Sequence, residues 1–293
     1  MAAKLNTDRN RCATLWAGGG SLRNSGLSRS FESGKCLNQK EGIAIALNGK
    51  PQCGAYYEKH KDPFINGNGS FAEYVSAPES VFALKPTNLS FDEAAAVPMA
   101  GVTALQGLRD EGKIHPGQKV LINGASGGVG TFAVQIAKSF GAEVTAVCST
   151  RNVEQARSLG ADQVIDYTRE DFTQSGQHYD LILAANGYHS LSAYKRALTP
   201  KGLYVMAGGS QAQIFEAMLL GLLMSKASGK KMGGVSAKPN QEDLVFMKGL
   251  LEAGKVVPVI ERRYPLSKTA EALRYLGEGH ARGKIVIHVE DRV

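Results

Sequence analysis

The feature that most constrains the fold is a strand, a glycine-rich loop and a helix in direct succession. The apolar segment Lys119–Asn123 predicts a buried strand, and residues 124–130 (Gly-Ala-Ser-Gly-Gly-Val-Gly) follow it before apolar residues recur at helical spacing. In this order, unpaired N–H groups at the helix start are suited to bind a diphosphate. Gly127 would let the main chain approach that diphosphate, and Gly130 would let the helix pack on its strand. The alternative interpretation is an ordinary tight turn.

Further strands alternate with helices on both sides of this loop. Ser90 is suited to cap one helix, and a second helix is predicted from about residue 102 to residue 111. A helix over residues 153–159 is predicted to end at Gly160. Strands alternating with helices predict an α/β fold with a doubly wound parallel sheet. The remaining predicted strands are Glu143–Cys148, Gln163–Asp166, Tyr179–Ala184 and residues 203–207.

Composition excludes several classes of protein. The chain has 293 residues, of which 43% are hydrophobic and 21% charged, so it is not disordered, collagen-like or a coiled coil. Its net charge of +7 favours anionic ligands such as phosphates. No zinc-finger, homeodomain or RNA-recognition pattern is present, so we expect no nucleic-acid partner. No apolar run reaches about 18 residues, so we expect no membrane-spanning helix.

The cysteines favour a reducing compartment and a metal-free protein. They form no CxxC pair and no Cys/His cluster with zinc spacing; they are Cys12, Cys36, Cys53 and Cys148. We therefore expect a cytoplasmic location. Residues 1–35, however, carry six basic residues, two acidic residues and five serines, which is also typical of a transit peptide. A poorly ordered extension is the other interpretation of that segment.

One apolar stretch, residues 215–224, precedes several lysines. Lys226, Lys230, Lys231 and Lys238 follow it, and no acidic residue lies between Glu216 and Glu242. Apolar surface beside lysines predicts peripheral contact with anionic lipid. The alternatives are a helix and loop over a cleft, or part of a homodimer contact.

The end of the second strand of the predicted sheet indicates which nicotinamide cofactor is bound. An NAD site places an acidic residue about 20 residues beyond the glycines, to bind the ribose 2′-hydroxyl. Here the chain reads Ser149-Thr150-Arg151-Asn152, with no carboxylate before Glu154. A guanidinium with two hydroxyls suits a 2′-phosphate, so the sequence predicts NADPH over NADH. The alternative is that Arg151 is only a solvated residue at a helix start.

The loop after the fourth strand of the predicted sheet reads Asn186-Gly187-Tyr188-His189. Ligands of open α/β sheets bind beyond the carboxyl ends of the strands, so Asn186 is placed to reach a nicotinamide. Tyr188 or His189 is a candidate proton donor, with the alternative that His189 begins the next helix. No catalytic residue is assigned.

From Ser70 onward the chain resembles the zinc-free quinone-oxidoreductase branch of the medium-chain dehydrogenase/reductase superfamily, close to chloroplast-envelope-type homologues. The motifs that carry the resemblance cover about three quarters of the chain. They are Phe71-Ala72-Glu73-Tyr74, Val97-Pro98-Met99-Ala100-Gly101-Val102-Thr103-Ala104, Ala125-Ser126-Gly127-Gly128-Val129-Gly130, Leu159-Gly160-Ala161-Asp162, Ile165-Asp166-Tyr167 and Gly283-Lys284-Ile285-Val286.

The resemblance implies a Rossmann dinucleotide-binding domain over residues 92–254. Residues 67–91 and 255–293 would be portions of a smaller GroES-like β domain. The resemblance also implies that Thr103 and the Gly208-Gly209 turn lie by the nicotinamide, and Tyr167 by the ribose phosphate. The predicted cofactor-binding residues are Thr103, Ser126, Gly127, Gly128, Val129, Gly130, Ser149, Thr150, Arg151, Asn152, Tyr167, Asn186, Gly208, Gly209 and Lys284.

Residues 1–66 do not match the family's usual opening, and two functions therefore stay open. The first is an NADPH-dependent, zinc-independent oxidoreductase that transfers hydride to a quinone or an α,β-unsaturated carbonyl. The second is a catalytically impaired nucleotide-binding protein that senses NADPH or acts through interactions. The family is commonly dimeric, so a homodimer is a further expectation.

Overall fold

A computed structural model describes residues 2–4, 43–45, 76–78, 82–186, 189–208, 231–238 and 240–288. Four short strands belong to the first part of the chain, and they pair in two antiparallel ladders, β1 with β3 and β2 with β4. The strand predicted at residues 71–75 lies outside the described residues. The bounds of the four strands are β1 Ala2–Lys4, β2 Ile43–Ile45, β3 Ser76–Pro78 and β4 Phe82–Leu84.

Two helices lead from these strands into the main sheet. Helix α1 (Phe91–Ala96) begins as predicted at Ser90, whose hydroxyl accepts the Glu93 N–H while the Glu93 carboxylate accepts the Ser90 N–H at 2.7 Å. The next helix, α2 (Pro98–Leu105), starts four residues before the predicted position, because Pro98 supplies a preset φ angle at its first turn. It continues as a π-helical segment, Gln106–Glu111.

The centre of the molecule is a six-stranded sheet in which every neighbouring pair is parallel. The strand order is β10-β9-β8-β5-β6-β7, which is the Rossmann order and confirms the predicted doubly wound fold. The strands are β5 Lys119–Asn123, β6 Glu143–Cys148, β7 Gln163–Asp166, β8 Tyr179–Ala184, β9 Leu198–Met206 and β10 Lys231–Gly234.

The last two strands differ from the sequence prediction. Strand β9 begins five residues before residue 203, and its register against β8 shifts between Tyr179 and Leu181. Pro200 and Gly202 lie in this irregular part and are typical of a turn, which explains the late start that was predicted. Strand β10 was not predicted, because Lys-Met-Gly-Gly has no apolar run.

Helices cover both faces of the sheet, and alternate residues of each strand face opposite layers of core. In β5, Val120 and Ile122 belong to one buried cluster while Leu121 belongs to the other. All three side chains are fully buried. The covering helices are α3 Gly128–Ser139, α4 Val153–Ser158, α5 Leu191–Ala197 and α6 Gln241–Glu252.

The chain ends in a small unit, here called the returning segment, residues 260–288. Strand β11 (Ile260–Pro265) lies parallel to β12 (Lys284–His288), and helix α7 (Thr269–Gly277) connects them. Tyr264 and Ala272 form a small separate core there with Ile287. None of the helices in the described part of the chain is long and apolar enough to cross a bilayer.

Candidate nucleotide-binding site

A cleft of about 460 Å³ opens at the carboxyl ends of the sheet strands, between the sheet and the returning segment. This is where ligands bind in open α/β sheets. Its sheet side consists of the glycine loop and the loop after β8, and its opposite side is largely apolar. That apolar side includes Ala95, Met99, Ala272, Leu273, Leu276, Ile285 and Ile287.

The glycine loop is held by main-chain contacts to its neighbours. The Gly124 and Ala125 N–H groups both donate to the Val147 carbonyl, at 3.2 and 3.0 Å. Gly124 has φ +82°, and a Cβ there would lie 2.7 Å from the Asn186 nitrogen. A side chain at this position would therefore push the loop away from the strand next to β5.

The close approach predicted at Gly130 is confirmed. An added Cβ would lie 2.1 Å from the Gly124 carbonyl oxygen and 2.7 Å from the Ala125 Cα. Both are main-chain atoms, which cannot yield without moving the loop. Gly130 thus lets the first turn of α3 lie directly on the end of β5.

The start of α3 is open. Gly127 occupies the N-cap and supplies no side-chain cap, so the first N–H groups of the helix, from Gly128 to Gly130, have no partner within it. A Cβ on Gly127 would meet nothing closer than the Gly124 carbonyl oxygen at 3.6 Å, so space remains in front of the main chain. Unpaired donors beside open space fit a diphosphate.

Strand β12 brings a cation to this helix start. Gly283 forms a parallel bridge with Gly127, has φ +98°, and packs so closely on Val259 that an added Cβ would lie 2.5 Å from the Val259 carbonyl oxygen. The next residue, Lys284, lies over Gly128, with its Cδ 3.0 Å and its Nζ 3.5 Å from an added Cβ. The predicted residues Gly127, Gly128 and Lys284 are therefore brought together.

At the end predicted to bind the nicotinamide, Asn186 is fixed by the main chain. The Ala185 and Asn186 N–H groups donate to the Asn123 carbonyl at 2.9 and 3.2 Å, and the buried Asn123 side chain donates to the Tyr194 hydroxyl at 2.7 Å. Burial raises the pKa of Tyr194 to about 12, so the phenol stays protonated. Gly208 is in close contact, because an added Cβ would lie 2.5 Å from the Ala185 carbonyl oxygen.

Thr103 is placed differently from the other predicted nicotinamide residues. It is 7% exposed, and its hydroxyl donates to the Met99 carbonyl at 2.7 Å within α2. Met99 lines the cleft, whereas Thr103 lies one helical turn beyond it. Gly209, Gly187 and Tyr188 lie outside the described residues.

At the end predicted to bind the adenosine, here called the adenosine end, the Thr150 hydroxyl donates to Asp166 at 2.5 Å and lies 3.0 Å from the Thr168 hydroxyl. Hydrogen bonds from Thr150 and Thr168 hold the pKa of Asp166 below its ordinary value, so the carboxylate is ionised at neutral pH. The Arg169 guanidinium lies 3.5 Å away and offsets that charge. The sequence analysis did not predict that Asp166 would hold the Thr150 hydroxyl, although Asp166 directly precedes the predicted site residue Tyr167. The Tyr167 side chain is 59% exposed.

Arg151 is exposed at this end and donates to the His280 carbonyl at 2.7 Å. Asn152 is buried and donates to the Ser149 hydroxyl at 3.0 Å, which shapes the turn after β6. The four predicted residues 149–152 thus form one turn, with the guanidinium on its outer side.

His189 lies directly before Ser190, whose hydroxyl caps α5; the helix begins at Leu191, so His189 does not itself begin it as the alternative interpretation held. Its ring packs against Phe172 and Tyr194, with ring centroids 4.7 and 5.7 Å apart. In the described part of the chain, no three His, Cys, Asp or Glu side chains are grouped as a metal site.

Several predicted features fall outside the described residues. They are Cys12, Cys36, Cys53, residues 215–224, Lys226 and Lys230. Of the predicted lysines, Lys238 is described, and its backbone N–H and carbonyl both form hydrogen bonds with the Gln106 side chain. Of the four cysteines, Cys148 is described, and burial raises the pKa of its thiol to about 11.

Known proteins match most of the chain. A family model described as zinc-binding dehydrogenase matches residues 159–287. The chloroplast envelope quinone oxidoreductase homolog of Arabidopsis thaliana is 37% identical over 231 residues, covering 75% of this chain and 69% of that protein. The chloroplastic NADPH-dependent alkenal/one oxidoreductase of Arabidopsis thaliana is 35% identical over 225 residues, covering 75% of this chain and 53% of that protein.

A solved structure is also similar to this chain, and it too is that of a quinone oxidoreductase. The quinone oxidoreductase from Coxiella burnetii superposes with a TM-score of 0.69 at 31% sequence identity. The match covers 78% of this chain and 70% of that one, which includes more than the central sheet alone.

Proposed function

Since the chain belongs to the quinone-oxidoreductase branch of the medium-chain dehydrogenase/reductase superfamily, we propose that it transfers hydride from NADPH to a quinone or an α,β-unsaturated carbonyl. The family establishes an oxidoreductase with a nicotinamide cofactor. The choice of NADPH, the acceptor class and independence of zinc are our proposals. The observation that carries dinucleotide binding is the open, uncapped start of α3 in the cleft, and the preference for NADPH rests on the turn at residues 149–152, which holds a guanidinium and no carboxylate.

The diphosphate would bind at this helix start. The N–H groups of Gly128 and Val129 point out of the first turn, and Lys284 adds a positive charge over the same turn. The helix dipole and the lysine act in the same direction, so a doubly charged diphosphate is favoured there over a neutral ligand. Gly127 leaves the room for it.

The adenosine 2′-phosphate would bind beside the turn after β6. Arg151 supplies a guanidinium and Ser149 supplies a hydroxyl, whereas the Thr150 hydroxyl donates its proton to Asp166. The carboxylate nearest to this turn, Asp166, is held by Thr150, Thr168 and Arg169, so its oxygens already have partners. One relative, the alkenal/one oxidoreductase of Arabidopsis thaliana, is named as NADPH-dependent, which supports this choice of cofactor.

The nicotinamide would lie between Asn186 and Gly208, where the loop after β8 is held by hydrogen bonds to Asn123. When bound, the cofactor supplies the hydride. The chain's part is to orient it and to offer hydrogen-bond donors to the acceptor oxygen, where negative charge develops. Independence of zinc rests on the spacing of the cysteines, which lacks a ligand pattern.

Nucleotide titration tests this proposal. We expect NADPH to bind at least about 10-fold more tightly than NADH, and Arg151→Ala to weaken NADPH by about 10- to 100-fold while NADH is unchanged. Arg157→Ala is the matched control, because Arg157 lies on the outer face of α4 and pairs with Glu154. Equal affinity of the wild type for the two nucleotides would refute the proposed NADPH preference.

Turnover decides between the two open functions. NADPH oxidation is followed with a panel of quinones and enones, and we expect turnover with at least one of them. Tight NADPH binding with no turnover across the panel would instead support the nucleotide-binding protein without catalysis.

A further inference from the structure

Two arginines from distant parts of the chain meet at the turn after β6, which is the predicted adenosine end of the site. Arg282 lies in the returning segment, 131 residues from Arg151, and its Nη2 donates to the Arg151 carbonyl at 3.5 Å. In return, the Arg151 Nη2 donates to the carbonyl of His280 at 2.7 Å. These two residues, Arg151 and Arg282, are here called the arginine pair.

The arginine pair carries uncompensated positive charge. In the described part of the chain, neither guanidinium forms an ion pair with a carboxylate. The Nε of Arg282 is buried, and no described residue accepts a hydrogen bond from it. A buried donor without a partner is costly.

The carboxylate that binds the Arg282 main chain does not pair with the Arg282 guanidinium. Glu261 accepts the Tyr275 hydroxyl at one oxygen, at 2.9 Å, and the main-chain N–H of Arg282 at the other, at 2.7 Å. Glu261 therefore fixes the backbone that carries Arg282, but neither of its oxygens forms an ion pair with the Arg282 guanidinium. Arg262 lies over the Tyr275 ring at 3.8 Å, so this neighbourhood gains a further positive charge.

We propose that Arg282 is a second phosphate ligand, and that the arginine pair grips the adenosine 2′-phosphate from both sides. This rests on the NADPH binding proposed above. Guanidinium groups bind phosphate oxygens through paired, charge-assisted hydrogen bonds, and a dianionic phosphate has oxygens enough for two of them. One anion would then give both guanidinium groups a charged hydrogen-bond partner.

The proposal has a structural consequence. Arg151 belongs to the nucleotide-binding sheet and Arg282 to the returning segment, so the 2′-phosphate would tie the two together. A nucleotide without that phosphate makes no such link. NADPH would therefore hold the returning segment against the cleft more firmly than NADH.

The test uses two ligands that differ only in the 2′-phosphate, adenosine 2′,5′-bisphosphate and 5′-AMP. Calorimetry on the full chain compares wild type, Arg282→Ala, Arg282→Lys and Arg274→Ala. We expect Arg282→Ala to weaken the bisphosphate by about 10-fold and to leave 5′-AMP unchanged. Lysine keeps the charge but not the planar fork, so we expect a loss of a few-fold. Arg274, exposed on α7, is the control and should match wild type.

The outcomes separate this proposal from the proposed function. If wild type binds both ligands equally, the NADPH preference fails and the arginine pair with it. If wild type prefers the bisphosphate but Arg282→Ala behaves like wild type, only the role of Arg282 is refuted. Equal weakening of both ligands would show a structural role instead. Should the alanine variant not fold, the lysine variant decides: an unchanged bisphosphate affinity overturns the proposal.

Hydrogen exchange tests the link between the two parts. We expect amides of β11 and β12 to exchange more slowly with the bisphosphate bound than with 5′-AMP bound at equal saturation. In Arg282→Lys this difference should shrink. Equal protection by the two ligands in wild type would overturn the link.

Discussion

The two ends of the cleft are built in different ways. At the glycine loop, the shape is set by main-chain atoms and by missing side chains: Gly124 and Gly130 let strand, loop and helix approach so closely that no Cβ would fit, and Gly127 leaves space in front of the main chain. At the adenosine end, the turn after β6 is lined by side chains, and Arg151 and Arg282 come from separate parts of the chain.

Because the two ends are built differently, nucleotide binding is coupled to folding at the glycine loop and much less so at the adenosine end. A contact built from backbone N–H groups exists only if the helix start is correctly placed, so the same glycines serve the fold and the ligand. A contact built from side-chain guanidinium groups can be removed without moving the main chain. Damage to the glycine loop should therefore affect stability or all nucleotides, whereas damage to the arginine pair should affect one nucleotide.

The largest expected effect is that of Gly130→Ala on stability. The added Cβ would lie 2.1 Å from the Gly124 carbonyl oxygen, so helix α3 must move off its strand. We expect the free energy of unfolding to fall by at least about 3 kcal/mol, measured by urea denaturation. Gly249→Ala is the control: it lies in α6 with nothing within 4 Å of an added Cβ, and it should be neutral or slightly stabilising. Equal stability of Gly130→Ala and wild type would contradict the steric account of this loop.

Gly127→Ala should separate binding from folding within the same loop. Its backbone is extended, at φ −80° and ψ 177°, and an added Cβ finds space, so we expect stability within about 1 kcal/mol of wild type. The methyl group occupies the room left for the diphosphate. We therefore expect NADH and NADPH to weaken alike, by about 10-fold, in fluorescence titrations. A selective loss of NADPH alone would show that the loop and the adenosine end are not separate.

The sequence predicted the backbone-built end better than the side-chain-built end. Strand β5, the loop and α3 lie next to one another along the chain, so their local pattern was enough. The contact of Thr150 with Asp166 spans 16 residues, and that of Arg151 with Arg282 spans 131, and no periodicity reports such pairings. Strand β10 was missed for a related reason: its parallel neighbour β9, and not its own residues, makes it a strand.

The smallest expected effect is on the salt dependence of nucleotide selectivity. Both nucleotides share the diphosphate at the start of α3, so the ratio of the NADH to the NADPH dissociation constant isolates the 2′-phosphate. Arg151 is exposed, and its attraction to that phosphate is screened as the Debye length falls from about 10 Å at 0.1 M salt to about 3 Å at 1 M. We expect the ratio to fall a few-fold between those concentrations, measured by calorimetry.

Arg151→Ala is the control for this last experiment, because without that guanidinium the ratio should start lower and change less with salt. A ratio that stays constant in wild type would mean that uncharged contacts select the nucleotide. In that case the adenosine end would resemble the glycine loop, where geometry and not exposed charge determines what binds.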